Sequence, residues 1–379
     1  MQFHSLRPLL SAVLLIALLQ TACKEPFTPG VDKKNMNLLV VEGNISDGTA
    51  PTTVRLSRTA EVGDVTYSVE TNALIWVEDE QALRYYLRGK NDGTYSAVLA
   101  GLSAEKKYRL RIQIGGADYA SEFVTMKRTP PIDQVGWVKG AAGVSIGVST
   151  HDSQGSTRYY RWEYNHTWEF RSPYISTIDY QNRAIVDRPN YMDIYKCWKS
   201  ENSTLILIGS SASLSQDVIK DFRLLNIPAN SWQLSVLYSV LVRQYAMSEA
   251  EYKYWQKIKK NTEEIGSIFD PQPSEIPGNV KCLTRPEEQV LGFVGASVPQ
   301  EKRIFISADE VRPWHYQQDC AMVDVSADPD SLESAFGYNM AEPLEKYITE
   351  KGQTRYTGTS TICVDCTLRG TNIKPSFWP

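Results

Sequence analysis

The sequence predicts a mainly β protein that consists of an immunoglobulin-like β-sandwich followed by a second β-rich domain. Short alternating or β-branched segments recur from residue 37 onward, and turn-forming residues separate them. Aromatic residues are abundant, with 21 Tyr and 9 Trp among 379 residues. An apolar content of 42% and a charged content of 22% are typical of a folded chain, and the length is sufficient for two or three domains.

The N-terminal residues predict a lipoprotein signal peptide over 1–22. A weakly basic start precedes an apolar run at 9–19, which is too short to span a bilayer as a helix. Small residues then lead into Cys23, an arrangement that resembles the bacterial lipobox, where the cysteine is acylated (for example with palmitate) and becomes the new N-terminus. We therefore predict a lipid anchor at Cys23; the alternative is an ordinary signal peptide that is cleaved nearby.

The first domain is predicted over residues 37–131, after a polar tether at 23–36. Seven strand-like segments, from NLLVVEGNIS to YASEFVTM, are separated by turn sequences such as SDGTAP and GKNDG. Seven strands at this spacing favour an immunoglobulin-like β-sandwich. The double proline in RTPPID, at 128–133, predicts a domain boundary.

The second domain is predicted over residues 132–379, as a β-rich module with one inserted helix near 248–265. Ser248 and Glu251 form a capping box, and Gly266 ends the periodic pattern. This helix is amphipathic, and Tyr254, Trp255, Ile258, Thr262 and Ile265 lie on one of its faces. The helix is expected to pack against its own sheet, and docking on a partner is the alternative. Residues 308–379 are predicted to form a loop-rich tail.

The aromatic residues of the segment at 159–171 divide between two faces of a predicted strand. Tyr160, Trp162, Tyr164, Trp168 and Phe170 share one face, and Tyr159 points the other way. This cluster is interpreted as core, with a ligand platform as the alternative.

Five cysteines remain once Cys23 is set aside as an anchor. They are Cys197, Cys282, Cys320, Cys363 and Cys366. Outside the cytoplasm, disulfides are the default expectation, so we predict two bridges and one free thiol. The pair in CVDC lies in loop-rich sequence near the C-terminus and is interpreted as part of a structural staple rather than a redox or zinc motif. Closure of the tail on itself would pair Cys320 with Cys363 or Cys366.

Other motifs give little support for catalysis or metal binding. GVSIG at 143–147 matches a hydrolase motif, but the alternation through it predicts that Ser145 lies within a strand. His151, His166 and His315 lack the spacing of a zinc site. The acidic stretch at 324–333 could place Asp324, Asp328 and Asp330 around calcium, but it lacks EF-hand spacing and is interpreted as a solvated loop.

Net charge argues against nucleic acid as a partner. The formal charge is −4, and no basic stripe interleaved with aromatic residues is evident. No cofactor or metal is predicted. Sequence alone does not exclude a hydrolase that uses paired carboxylates.

Several segments together resemble a lipoprotein family of the Bacteroidota known as domain of unknown function 4249. They include KCWKSENSTLILIGSSASLSQD, YWQKIKKNTEEIGSIFDPQPSEIPGNV and the end CVDCTLRGTNIKPSFWP, in which Gly370 stands alone where a glycine pair is expected. The resemblance implies a surface lipoprotein encoded beside a SusC-like TonB-dependent receptor. It implies no catalytic residues.

These observations lead to the expectation of a non-enzymatic accessory lipoprotein in the outer membrane. It would be lipid-anchored and exposed at the cell surface, and it would capture an unknown ligand or dock on the TonB-dependent transporter. One alternative is a cell-surface glycan or peptide hydrolase, and another is an adhesin or structural envelope protein.

Overall fold

The protein is mainly β in the computed structural model, as predicted from sequence. The structure describes residues 37–48, 50–59, 68–263, 276, 278–338 and 341–379. The predicted signal peptide, the tether and Cys23 lie outside these described residues.

The described residues between 39 and 128 form the first β unit, and the seven segments predicted as strands are all strands. Its strands are β1 (Leu39–Ile45), β2 (Thr52–Arg58), β3 (Leu74–Asp79), β4 (Arg84–Gly89), β5 (Thr94–Ala97), β6 (Lys107–Ile114), β7 (Ala117–Ser121), β8 (Val124–Thr125) and β9 (Lys127–Arg128). Strict alternation drives this arrangement: in β2, for example, Val54 and Leu56 are buried while Thr53 and Arg55 are exposed. The buried residues form one continuous core. The immunoglobulin-like type of this unit stays a prediction.

Two later strands complete the first unit. They are β19 (Val280–Cys282), which pairs antiparallel with β7, and β20 (Val290–Val298), which pairs in parallel with β1. Val290 and Val294 join the core of the first unit. The strand order is β19-β7-β6-β3-β4-β5-β2-β1-β20-β9, with β8 beside β6. Hydrogen bonding therefore crosses the boundary that the double proline predicts near residue 131.

The second β unit consists of two sheets that share a core. One contains β10 (Ile132–Gly140), β11 (Gly143–Asp152) and β17 (Asp217–Pro228), in that order. The other contains β12 (Tyr159–Arg171), β15 (Lys196–Asn202), β16 (Leu207–Ser210), β18 (Leu237–Ala246) and β21 (Gln300–Ser307). In this five-stranded sheet β12 lies at the centre, with β15 and β16 on one side and β18 then β21 on the other.

The aromatic face of β12 supplies much of this second core, as predicted. Tyr160, Trp162, Trp168 and Phe170 are buried between the two sheets, and Tyr164 packs at the edge of the same core. Tyr159 points the other way and contacts the ring of Tyr252 at 4.9 Å. Because an extended strand alternates its faces, the odd-numbered residues of β12, such as Arg161 and Glu163, form a separate and largely polar surface.

The C-terminal region contains more regular structure than the loop-rich tail that the sequence predicts. Residues 308–379 contain β22 (Met322–Ser326), α3 (Pro329–Phe336), β23 (Glu342–Ile348) and β24 (Thr354–Thr359). The hairpin β13 (Ile178–Gln181) and β14 (Ala184–Asp187) and the helix α1 (Met192–Tyr195) come from the connection between β12 and β15, and the hairpin packs on the same region. Leu332 and Phe336 of α3 pack with Tyr356 in a third, smaller core. Only Val325 of β22 and the adjacent Pro343 and Leu344 of β23 are buried, so these short strands do not alternate regularly between buried and exposed residues and their sequence gives a weak β signal.

Two disulfides fasten this region. Cys320 bonds to Cys363, one of the two partners predicted for it, and Cys197 of β15 bonds to Cys366. Among the described cysteines, Cys282 is free and is buried in β19. The main chain of Thr371 then hydrogen-bonds with that of Trp198. Gly370 fits here because a Cβ atom would approach the Trp198 carbonyl oxygen to 2.5 Å.

We expect the Cys197–Cys366 bridge to contribute most to the stability of the C-terminal region, since it closes a loop of 169 residues. Cys197→Ala/Cys366→Ala should lower the free energy of unfolding by about 3–5 kcal/mol, measured by urea denaturation. The control Cys282→Ala removes a buried thiol that closes no loop, and it should cost about 1 kcal/mol. Equal losses in the two variants would contradict the assigned pairing.

Candidate functional site

A cleft of about 1500 Å³ lies between the first β unit and the five-stranded sheet. Its floor is the polar outer surface of β12, β18 and β21. One wall consists of residues from β1 and β2, such as Asn44 and Thr53, and the chain at 202–207 closes one end. The connection from β20 to β21, at Val298 and Pro299, lines the corner.

The opposite wall is the helix α2 (Glu249–Glu263), which confirms the predicted helix within the described residues. Ser248 caps it by accepting a hydrogen bond from the Glu251 amide at 3.1 Å, as the capping box predicts. Tyr254 packs on Phe293 of β20, with 5.4 Å between ring centres. The Glu263 carboxylate accepts from the Ile206 amide at 2.6 Å, so both ends of the helix are held in place.

The predicted amphipathic face of α2 therefore has two roles. Tyr254 is buried against the first β unit, whereas Trp255, Ile258 and Thr262 line the cleft. The sequence correctly predicts packing on the protein's own strands. It does not indicate that the rest of the face borders a cavity, because the strands that complete the cavity come from distant parts of the chain.

Arginine and glutamate alternate across the cleft floor. Glu163 of β12 lies opposite Arg243 of β18, and Arg243 lies opposite Glu301 of β21. The Arg243 Nε donates to Glu301 at 2.5 Å, and the Tyr245 hydroxyl donates to Glu163 at 3.1 Å. These contacts hold the charged groups in fixed orientations before any ligand arrives.

Arg161 is the most enclosed cation of the floor. Its side chain is only 16% exposed, and its guanidinium lies 4.7 Å from the Tyr245 ring centre and 5.0 Å from that of Trp255. Glu163 pairs with it at 2.8 Å. Burial opposes the charge of this guanidinium, but the carboxylates of Glu163 and Glu251 outweigh that effect and raise its pKa. Stacking on two rings offsets part of the lost hydration.

Glu251 adds an unusual carboxyl group to the cleft. It is 7% exposed, in the first turn of α2, and a Cβ atom at Gly295 would lie 2.6 Å from both of its carboxylate oxygens. Burial raises the pKa of Glu251 from 4.5 to about 7, and the charge of Arg161 limits the rise. This carboxyl group therefore gains or loses a proton near neutral pH.

Other residues considered from the sequence have structural partners. Ser145 lies within β11, as predicted, and donates to the Asn226 side chain at 3.0 Å. His151 contacts Asp133 at 2.8 Å, and His166 contacts the Tyr238 hydroxyl at 2.9 Å.

The acidic stretch at 324–333 is likewise held by protein groups. Asp324 accepts from Arg355 and Tyr347, while Asp328 caps α3 by accepting from the Ser331 amide. His315 is held through its main chain, whose amide donates to Asn230. In the described residues no group of three or more His, Cys, Asp or Glu side chains could hold a metal ion.

Sequence reasoning missed the cleft residues Arg161, Glu163, Arg243 and Glu301. A signal was present for Arg161, Glu163 and Arg243, which alternate with buried residues such as Trp162 and Val242 and so must face outward; Glu301 lies between polar residues and gave no such signal. Nothing local indicated that three strands and a helix would gather these residues around one cavity.

The fold and this site define a mainly β protein with a preorganised, charged and aromatic cleft. The family model described as domain of unknown function (DUF4249) matches residues 24–303, more than half of the chain, and the chain belongs to this family. All the cleft-lining residues fall within the matched range. No curated protein matches the chain. Within the described part, no helix is long and apolar enough to cross a membrane.

The shifted pKa of Glu251 predicts a pH-dependent stability. Because the folded state raises this pKa, the carboxyl group contributes stability below about pH 4.5 that is lost as the pH rises through about 7. The free energy of unfolding should therefore fall by about 3 kcal/mol as the pH rises from 4 to 8 because of Glu251. The Glu251→Gln variant should not show this fall.

Urea denaturation at several pH values measures the effect. Glu249→Gln is a matched control on the same turn, since Glu249 is exposed and pairs with Lys253. It should keep the wild-type pH profile. An unchanged profile in Glu251→Gln would show that this carboxyl group ionises normally.

Proposed function

We propose that this protein is an accessory lipoprotein of a SusC-like TonB-dependent transporter in the outer membrane. Cys23 anchors it to the outer membrane, exposed at the cell surface, and the cleft captures a ligand for the transporter. Membership of the family supports the proposal, together with the lipobox-like sequence at Cys23. The cleft is the single observation that carries the capture role.

The cleft favours a polar ligand of several units. At about 1500 Å³ it exceeds the range of roughly 300–1,000 Å³ that small-molecule pockets usually have. Its guanidinium and carboxylate groups bind hydroxyl, amide or charged groups, while Trp255 and Tyr245 offer aromatic surface. Since Arg161, Arg243 and Glu163 are already held by partners, binding costs little side-chain entropy.

Isolation from detergent-solubilised outer membranes tests the partnership. In cells supplied with labelled palmitate, the wild-type protein should incorporate the label and co-purify with a barrel transporter. The Cys23→Ser variant should not incorporate the label. Purification of the labelled protein alone in every detergent would refute the role as a transporter partner. Wild-type protein without the label would refute the anchor.

Removing one charged pair of the cleft tests ligand capture. Arg243→Gln/Glu301→Gln deletes both partners at once, so it leaves no unpaired charge and should change stability by less than about 1 kcal/mol. Members of an oligosaccharide and oligopeptide panel that raise the wild-type melting temperature should fail to raise that of the variant.

The matched control is Arg355→Gln/Asp324→Asn, which deletes an ion pair in the C-terminal sheet. This variant should respond to the panel as the wild type does. If the same compounds stabilise the cleft variant equally well, they bind elsewhere and the cleft is not the capture site.

One observation favours a glycan or peptide hydrolase as a second candidate. The cleft contains Glu251, whose pKa lies near 7, and Glu163, which is paired with Arg161. A carboxyl group with a raised pKa and a second carboxyl group in the same cleft are the kind of pair that acid–base hydrolysis uses. Release of products from the same panel, abolished by Glu251→Gln and by Glu163→Gln, would establish this activity in place of capture alone.

A further inference from the structure

A second surface of the molecule concentrates positive charge on a chain whose formal charge is −4. It is the outer face of β3, β4 and β6, which we term the arginine face. The charged side chains that point outward from these three strands are Arg84, Arg88, Lys107, Arg109, Arg111 and Glu78. Five cations and one anion give this face a formal charge of +4.

The arginine face is built in layers. Trp76 lies beneath and is only 3% exposed, because Arg84 and Arg111 cover its ring at 5.1 and 5.4 Å. Glu78 holds Arg109 and Arg111, at 2.5 and 3.2 Å, and so fixes their guanidinium groups. Arg84 and Arg88 are exposed, and Arg84 lies directly opposite Glu78 in the register of β3 and β4.

Exposed apolar side chains accompany this charge. Leu83, in the turn before β4, is 54% exposed, and Tyr86 is 52% exposed between the two arginines of β4. Phe123 is 40% exposed, with Arg109 stacked over its ring at 4.6 Å. Arginine with protruding leucine, tyrosine and phenylalanine is the composition of a surface that lies in the headgroup layer of a membrane.

The arginine face belongs to the first β unit, and the position of this unit shortly after Cys23 also fits a membrane. The described chain begins at Asn37, whose carbonyl oxygen accepts a hydrogen bond from the Arg58 guanidinium of the same β unit. If Cys23 is the lipid anchor, the intervening residues can extend by at most about 50 Å, so the first β unit stays close to the bilayer. This step rests on the proposed anchor; the charge and composition of the arginine face do not.

We propose that the arginine face docks the first β unit on a membrane surface rich in anionic phosphate headgroups. Guanidinium groups bind phosphate oxygens in a bidentate manner, and each basic residue near an anionic bilayer strengthens adsorption. Docking through this face orients the molecule relative to the membrane and adds a second, reversible attachment to the lipid anchor.

Vesicle co-sedimentation tests the proposal without the anchor. The chain from residue 24 onward, which contains the family match and every described residue, is made with Cys23 absent. It should bind vesicles in which about a third of the lipid is phosphatidylglycerol, and bind phosphatidylcholine vesicles at least about tenfold more weakly. Raising the salt from about 0.01 to 0.1 M should weaken binding, since the Debye length falls from about 30 to 10 Å.

Arg84→Glu/Arg88→Glu should reduce binding to the anionic vesicles by at least about tenfold. Lys220→Glu/Lys351→Glu makes the same change in net charge at exposed positions outside the arginine face, and should reduce it less than about threefold. Circular dichroism melting confirms that each variant is folded.

Binding that is equal for both vesicle types, absent from both, or lost equally in the two variants overturns the proposal. Because this assay requires neither Cys23 nor a transporter, its failure leaves the proposed function standing. Loss of transporter co-purification likewise leaves the vesicle result unchanged.

Discussion

The parallel pairing of β20 with β1 is the constraint on which the rest of the structure depends. It returns the chain to the first β unit after nearly all of the second unit has been built. β20 belongs to the first unit and β21 to the second. A single residue, Pro299, separates these two strands. Proline fixes its own φ angle, which makes this short connection stiff.

A second short connection holds the two units at a fixed angle. Residues 129–131, between β9 and β10, contain two prolines. Gln244 donates to the Pro130 carbonyl oxygen, and the Ala246 amide donates to Thr129. These two short, proline-containing crossings, at residues 129–131 and at Pro299, restrict how the two units can move relative to each other across the cleft. The same geometry brings α2 against β20 and thereby positions Arg161 between two aromatic rings.

Much of the fold follows from local sequence, and the site does not. Alternation in segments such as YRLRIQI predicts the strands, and Ser248 predicts the start of α2. Closure of the tail narrows the partner of Cys320 to Cys363 or Cys366, and the structure has Cys363. The even-numbered aromatic residues of β12 are correctly predicted to be core. The cleft depends instead on register between strands far apart in sequence, such as Glu163 with Arg243 and Arg243 with Glu301, which periodicity does not encode. The C-terminal sheet was missed because its strands are short and bury few residues: Val325 in β22, and the adjacent Pro343 and Leu344 in β23.

The late arrival of β20 also determines the order in which this protein can fold. When residues 37–131 first emerge, β1 has an unpaired edge and the core lacks Val290, Val294 and Ala296. An open β edge is a template for pairing with other chains, and contacts between distant residues form slowly. The nascent first unit must therefore stay protected until the chain has been synthesised beyond residue 298. A truncated gene product that stops at the double proline would aggregate, even though it contains all of β1 to β9.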